Sequence, residues 1–457
     1  MNNTANNHFL PAKAPIGGLG VQYLKHAWQL LKDNKLYSAI YIFGTALAIT
    51  MVMIIAVFLY LKRGNIYPEE NRNRILYVKS VESRPKDTTQ HSMQCSGLSL
   101  QTVKQVFYPL KSAEAASAEL GTYNEDNYVS VPANNLKIPV MAKYVDTNYW
   151  KVFQFRFNEG KPFTEADFNS GIHAAVISQT TARQLFGNVS AVGKYFKFND
   201  NEYKVTGVAK DVSCILSSTY ANIWIPFSAV KNYENPWGDE GLLGTYKVYM
   251  LARSSKDFEK IRKEIIENKA KYEANLTWSM NFLGQPDDTF TQSFRLGNRP
   301  LSMNKIRGTF ALMLVIFLLV PVLNLSGLNS SRMEGRLSEL GIRKSFGASR
   351  SVLINQVLTE NLLLTALGGL VGLIFSYILI ILSSKYLVSN ELMYNSTNLS
   401  EQINNSVGIT AGMLFNAEMF LWAFVAVLIT NALSAFIPAY RFSRKNIVDS
   451  LFDNYKK

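Results

Sequence analysis

Four stretches of this 457-residue chain contain no charged residue: Leu36–Leu61, Gly308–Ser331, Asn361–Ser384 and Met419–Tyr440, with 26, 24, 24 and 22 residues. An α-helix needs about 20 apolar residues to cross the hydrocarbon core of a bilayer. Buried helices of soluble proteins are usually shorter and amphipathic. Each run is long enough and bounded by charge, so the chain reads as a membrane protein with four transmembrane α-helices. A bundle of spans alone would be more apolar than the 48% hydrophobic content found here. The polar balance sits in the long segment between the first and second runs. The expected fold is four spans with a large α/β extracytoplasmic domain between the first and second. The first run starts too far in and is too long for a cleaved signal peptide, and no A-x-A-like site follows it.

Lysine and arginine in the short flanks set the orientation. Residues 1–35 hold four lysines against Asp33, and residues 332–360 hold five basic residues against three glutamates. The tail holds five basic residues against two aspartates, whereas 385–418 has one lysine and three glutamates. Both termini and the segment after the second span are therefore expected in the cytoplasm. The chain divides into a cytoplasmic N-terminal segment (1–35), first span (36–61), extracytoplasmic domain (62–304), second span (305–331) and cytoplasmic segment (332–357). A third span (358–384), extracytoplasmic loop (385–418), fourth span (419–440) and cytoplasmic tail (441–457) complete it. Much of the formal net charge of +13 then lies at cytoplasmic span ends facing anionic lipid, which removes the case for nucleic-acid binding. Within 1–35, Val21, Leu24, Trp28 and Leu31 share one helical face, with lysines elsewhere. That pattern suits either a helix lying in the membrane interface or a short soluble helix packed on a partner.

The 62–304 insert alternates strand and helix signals. RILYVKSVE (74–82), 126–131 and 137–144 read as strands, and 98–110 as a helix. AAVIS (174–178) leads into a helical TTARQLFG, and YFKF and EYKVTGVAK are strands joined by the turn-forming Asn199-Asp200-Asn201. TYKVYML (245–251) leads into a long helix over 255–274. Two similar β–α units around a distinct segment suggest a split or duplicated domain carrying an insertion. Cys95 and Cys214 both fall in this insert, where pairing is permitted but not required.

Catalytic patterns are missing. His8, His26, His91 and His173 form no metal-binding spacing, and there is no G-x-S-x-G elbow or P-loop. No metal or cofactor is expected on this chain. Gly368, Gly369 and Gly372 include a G-x-x-x-G spacing that allows close helix packing within the third span. Pro321, inside the second span near Asn324 and Ser326, frees a backbone carbonyl and marks a possible hinge.

Between the second and third runs lies SELGIRKSFGASR (338–350). Glu339 and Arg343 stand at i,i+4 and can pair, Gly347 can end a short helix, and Ser349 can cap the next. The whole of 331–372 resembles the signature of MacB/FtsX-type ABC transporter permeases, with Arg336, Glu339, Gly341, Ile342, Arg343, Gly347, Ala348, Ser349, Gln356 and Glu360 at matching positions. The insert is similar to the family's periplasmic core domain over 146–168, 174–198 and 203–211, and the IPAYRFSRKNIVDSL ending resembles the family tail P-A-x-x-A-x-x-x-x-P-x-x-x-L, except that a non-proline residue stands at its second proline. The resemblance implies a non-catalytic permease working by mechanotransmission, as a homodimer or heterodimer, with a separate cytoplasmic ATPase that binds ATP and Mg. It implies a coupling helix docking on that ATPase, drawn from Arg336, Glu339, Gly341, Ile342, Arg343, Lys344, Gly347, Ala348, Ser349 and Arg350. A periplasmic adaptor and outer-membrane channel would complete an efflux assembly for an amphipathic cargo. The alternative within the family is a signalling protein of the FtsX kind that controls a cell-wall hydrolase.

Overall fold

The computed structural model describes residues 35–121, 127–131, 134–295, 297–299, 301–335, 337–392 and 417–444. The expected interfacial helix, most of the 385–418 loop and the tail beyond 444 lie outside the described residues. The chain forms two compact units: Met1–Val57 with Arg307–Ile380 and Asn416–Lys457, and Phe58–Ile306 with Ile381–Phe415.

The main helices in chain order are α1 (Lys35–Arg63), α2 (Gln179–Phe186), α3 (Phe258–Glu273) and α4 (Met303–Gly335), then α5 (Leu337–Ser345), α6 (Arg350–Leu392) and α7 (Ala417–Ser443). Four of these, α1, α4, α6 and α7, are long and apolar enough to cross a membrane. Each extends past its uncharged run, because main-chain hydrogen bonding continues where the side chains turn polar. The difference is largest for α6, whose 43 residues begin at Arg350 inside the segment expected to precede the third span. In α4, Leu312 through Ile316 are all exposed. Five consecutive apolar positions point all around a helix, which suits a lipid-facing element.

The helical unit packs through small residues. A Cβ added to Gly368 would lie 2.8 Å from Thr45 Cβ, and one on Gly372 would lie 2.7 Å from the Ala46 carbonyl oxygen. Thr50 Oγ1 donates to the Gly372 carbonyl at 3.1 Å, so α1 and α6 touch backbone to side chain. One on Gly369 would meet the Phe424 ring of α7 at 2.5 Å.

The other unit is an α/β domain whose described residues form sixteen strands in one sheet. These are β1 (Ile75–Val78), β2 (Val81–Pro85), β3 (Gln94–Leu98), β4 (Ala113–Leu120), β5 (Tyr128–Val131) and β6 (Asn134–Pro139). Next come β7 (Ala142–Val145), β8 (Phe157–Gly160), β9 (Ala174–Ser178), β10 (Tyr195–Phe198), β11 (Asn201–Ala209) and β12 (Ile223–Pro226). The last are β13 (Leu243–Gly244), β14 (Tyr246–Ala252), β15 (Trp278–Asn281) and β16 (Asp287–Asp288). The main path runs β15-β2-β3-β14-β4-β7-β12-β9-β11-β10-β5-β6. The first and last parts of the insert make one half, and β5–β12 make the other, which is the split domain with an insertion. A single apolar core, including Leu76, Val248, Ile177 and Val205, runs through both halves.

The halves join where β4 pairs β7, Glu119 opposite Val145 and Leu120 opposite Tyr144. Glu119 is buried there and accepts from Lys143 Nζ at 2.7 Å and from the Tyr249 hydroxyl at 2.6 Å. Burial opposes its ionisation, but Lys143 and Lys247 outweigh that and hold its carboxyl below the ordinary value. Asp146, just after β7, accepts from Ser117 Oγ (2.6 Å), Ala118 N (2.8 Å) and Tyr108 Oη (2.8 Å), while burial pushes its pKa up.

Two strand expectations need correction. Residues 74–82 form two strands, β1 and β2, because the chain changes partners at Lys79-Ser80. Gln285 covers the break, accepting from Lys79 N at 2.7 Å and donating to the Ser80 carbonyl at 2.8 Å. Residues 137–144 likewise belong to β6 and β7. Pro139 ends β6, having no N–H to donate, and Val140 N turns to the Asn127 carbonyl at 2.9 Å. Cys95 is partly buried, Cys214 is buried, and no disulfide joins them.

Candidate functional site

The segment between α4 and α6 folds as the short helix α5 and a tight stop. Glu339 and Arg343 close their i,i+4 pair at 2.7 Å. Gly347 adopts φ +89°, a left-handed conformation that suits glycine. Ala348 N then donates to the Arg343 carbonyl at 3.0 Å and Gly347 N to the Lys344 carbonyl at 2.9 Å. This pair of bonds satisfies the last carbonyls of a helix in the Schellman manner. Ser349 accepts from Val352 N at 3.4 Å and so starts α6.

The basic residues of α5 are tied inward. Lys344 Nζ donates to the carbonyl of Ser443, the final residue of α7, at 2.6 Å. Burial, followed by Arg350, lowers the pKa of that ammonium. Arg343 Nη1 donates to Gln356 Oε1, and Gln356 Nε2 donates to Glu360 Oε1 at 3.1 Å. Glu360 is 3% exposed and pairs with Arg332 of α4 at 3.1 Å. The Arg332 guanidinium lies 4.9 Å from the Tyr37 ring centroid, and the Tyr37 hydroxyl donates to Asn329 Oδ1 at 2.9 Å. One chain of polar contacts therefore runs from α5 through α6 and α4 to α1.

Beneath α5, Met333, Leu353, Val357 and Ala439 form an apolar seat with Ala348 packed against it. The cavity left there is about 10 Å³, room for one water at most. The seat is a packed joint and offers no space for a small ligand. Away from the seat, Ile342 of α5 is 49% exposed and Phe346, the residue that follows α5, is 88% exposed.

The remaining sequence-predicted residues fall as follows. Gly341 is buried; Arg350 is exposed at the first turn of α6; Arg336 lies outside the described residues. The α4 helix runs on through Pro321. Sequence reasoning missed Phe346, Arg332 and Asn431. Asn431 Nδ2 donates to Thr365 Oγ1 at 3.2 Å and Thr45 Oγ1 at 3.4 Å, linking three helices. An amide inside an uncharged run was the signal available for it. Among the described residues, no group of three His, Cys, Asp or Glu side chains could hold a metal ion.

Comparison with known proteins places both units. The MacB-like periplasmic core domain profile matches residues 38–268, and the FtsX-like permease C-terminal profile matches residues 311–447. The ABC transporter permease YknZ of Bacillus subtilis, described as uncharacterized, is 27% identical over 51% of this chain and 55% of its own length. YvrN of the same organism, described in the same way, is 24% identical over 78% of this chain and 86% of its length. The macrolide export ATP-binding/permease protein MacB of Escherichia coli K12 is 22% identical over 70% and 44%. The chain thus spans about half the length of YknZ and MacB. Among solved structures, the extracellular domain of YknZ matches 44% of this chain at 17% identity with a TM-score of 0.32.

Proposed function

The chain belongs to the MacB/FtsX family of ABC transporter permeases, and from that premise we propose that it is the membrane subunit through which a separate cytoplasmic ATPase drives export or extraction of an amphipathic cargo. ATP and Mg sit on the partner, and this chain takes up the motion at α5. Both termini and α5 face the cytoplasm, and the α/β domain faces outward. Two permease copies work together, with an adaptor and outer-membrane channel where the cargo must leave the envelope. Peptide, drug, toxin and lipoprotein are the cargo classes that fit an amphipathic substrate.

The observation that carries this reading is the division of labour on α5. Its cations are spent holding α6 and α7, while Phe346 and Ile342, one turn apart, present an apolar tip to the outside. A bare phenylalanine just past the end of a nine-residue helix is a poor surface for water and a good anchor for a protein groove. Motion imposed at the tip passes to α6 through Arg343 and to α7 through Lys344.

The test co-expresses the chain with each stand-alone ABC ATPase of its source genome and measures co-purification. Phe346→Asp should abolish association with the cognate ATPase, a loss of at least about 2 kcal/mol or roughly 30-fold for an anchor residue. Its melting temperature should stay at the wild-type value, because the ring touches nothing inside. Wild-type co-purification by Phe346→Asp would sink the docking role.

A further inference from the structure

Beside the Arg343–Glu360–Arg332 chain, three helices each bury polar groups that no partner among the described residues satisfies. Asn361 of α6 and Asn329 of α4 are each 2% exposed, and Tyr41 of α1 is 0% exposed. Both Nδ2 and Oδ1 of Asn361, Nδ2 of Asn329 and the Tyr41 hydroxyl lack a partner among the described residues. Turning the Asn361 amide over does not help, since both its ends are unmet. Tyr41 packs on Leu325 and Leu364, each within a helical turn of Asn329 and Asn361 respectively. Thr365 and Asn329 interact with the Tyr41 hydroxyl, yet neither closes a hydrogen bond of normal geometry.

Helices inside a bilayer ordinarily satisfy every polar group, so four unmet atoms on three neighbouring side chains call for a ligand. Its chemistry follows from what is offered. Asn329 Nδ2 is a donor, Asn361 is both donor and acceptor, and the Tyr41 hydroxyl is either. Glu360 is engaged by Arg332 and Gln356, and Arg332 by Glu360, so the site has no spare charge for an ion. The occupant must be small, neutral and able both to donate and to accept. We propose that Asn361, Asn329 and Tyr41 form a water-binding site inside the helix bundle, at the inner end of the polar chain that begins on α5. A bound water makes about three hydrogen bonds and can exchange them one at a time. The site therefore lets α1, α4 and α6 shift past one another without stranding an amide in an apolar core. This inference rests on the bundle alone and stands whether or not α5 docks an ATPase.

Hydroxyl-radical footprinting of the full chain in lipid nanodiscs tests it, because radiolysis of a bound water labels the side chain beside it even where bulk solvent is excluded. Tyr149, also 0% exposed and donating its hydroxyl to the Ser218 carbonyl at 2.9 Å, is the dry reference. Met53 of α1, 1% exposed, reports opening of the bundle. With rates corrected for intrinsic reactivity, Tyr41 should be modified severalfold faster than both, and Asn361→Leu should bring it down to the Tyr149 rate. Equal rates for Tyr41 and Tyr149 in the wild type overturn the proposal without any variant. So does a Tyr41 rate that survives Asn361→Leu, or one that Met53 matches.

Discussion

Removing the Glu360 carboxylate should destabilise the helical unit, and removing Arg332 as well should restore it. Glu360 is 3% exposed and its two oxygens serve Arg332 Nη2 and Gln356 Nε2, both at 3.1 Å. In Glu360→Leu the guanidinium stays where it is with its carboxylate gone. Breaking a buried pair from one side costs about 3–5 kcal/mol, most of it the isolated charge. Arg332 retains 14% side-chain exposure and the face of the Tyr37 ring, which sets the expectation at the low end, about 3 kcal/mol. At roughly 2–4 °C per kcal/mol, the melting temperature should fall by roughly 6–12 °C. Arg332→Leu combined with Glu360→Leu leaves no stranded charge and should melt within a few degrees of wild type, since apolar replacement of a whole buried pair is often neutral. The assay is thermal unfolding of the four proteins of the double-mutant cycle in the same detergent. A Glu360→Leu protein that melts with wild type, or a double variant that melts below it, would refute the assignment of Glu360 as the counter-charge to Arg332. In the proposed function, the same double variant folds yet interrupts the path from Arg343, so its partner ATPase should lose stimulation by the permease.

Two further outcomes follow from the packing and the buried charges. Gly372→Ala should lower the melting temperature more than Gly369→Ala. The first methyl meets the Ala46 backbone at 2.7 Å, while the second meets side chains, the edge of the Phe424 ring, which can turn aside, and Ile49 Cδ1 at 3.4 Å. In the α/β domain, Glu119→Gln should melt below wild type at neutral pH, with the gap closing under acid. The folded carboxyl titrates below its ordinary value of 4.5, so its stabilisation is complete above that value and is lost as the pH falls through the lower folded value. A gap constant down through that range, followed by calorimetry, would refute the role of the Lys143 pair.

The spans were legible because one physical rule governs them: a run without charge and long enough to cross a bilayer has few other places to go. All four runs lie within α1, α4, α6 and α7. The α/β character of the insert was equally readable, since β9 is a short apolar run and β10 and β11 carry their alternation and turn residues locally. Asn199 and Asp200 take positive φ at the tight turn between two of them. Partner choice in the sheet was not readable. The polar pair Lys79-Ser80 interrupts the apolar run without showing that the pairing partner changes, and the side chain that permits the switch, Gln285, lies 205 residues away from Ser80. Long-range capture of a backbone group leaves no periodic trace.

The coupling segment shows the same division between local and distant information. Its helix, its glycine stop and the cap of α6 are all set by residues within five positions of one another, and each could be placed from spacing. What the cations do could not. Arginine and lysine beside a membrane span look like contacts for something outside, yet their long stems let the charged ends reach back to whatever acceptor lies nearest. Here the acceptors are Gln356, a neighbour only because α6 folds back over α5, and the free carbonyl at the end of α7, 99 residues on. Once those acceptors hold the charges of α5, the exposed apolar residues Ile342 and Phe346 are the ones that a charge-based reading passes over. In the proposed function this arrangement makes a rigid joint: polar bonds inside fix the helix to the spans, and an apolar tip can be gripped and released without breaking them.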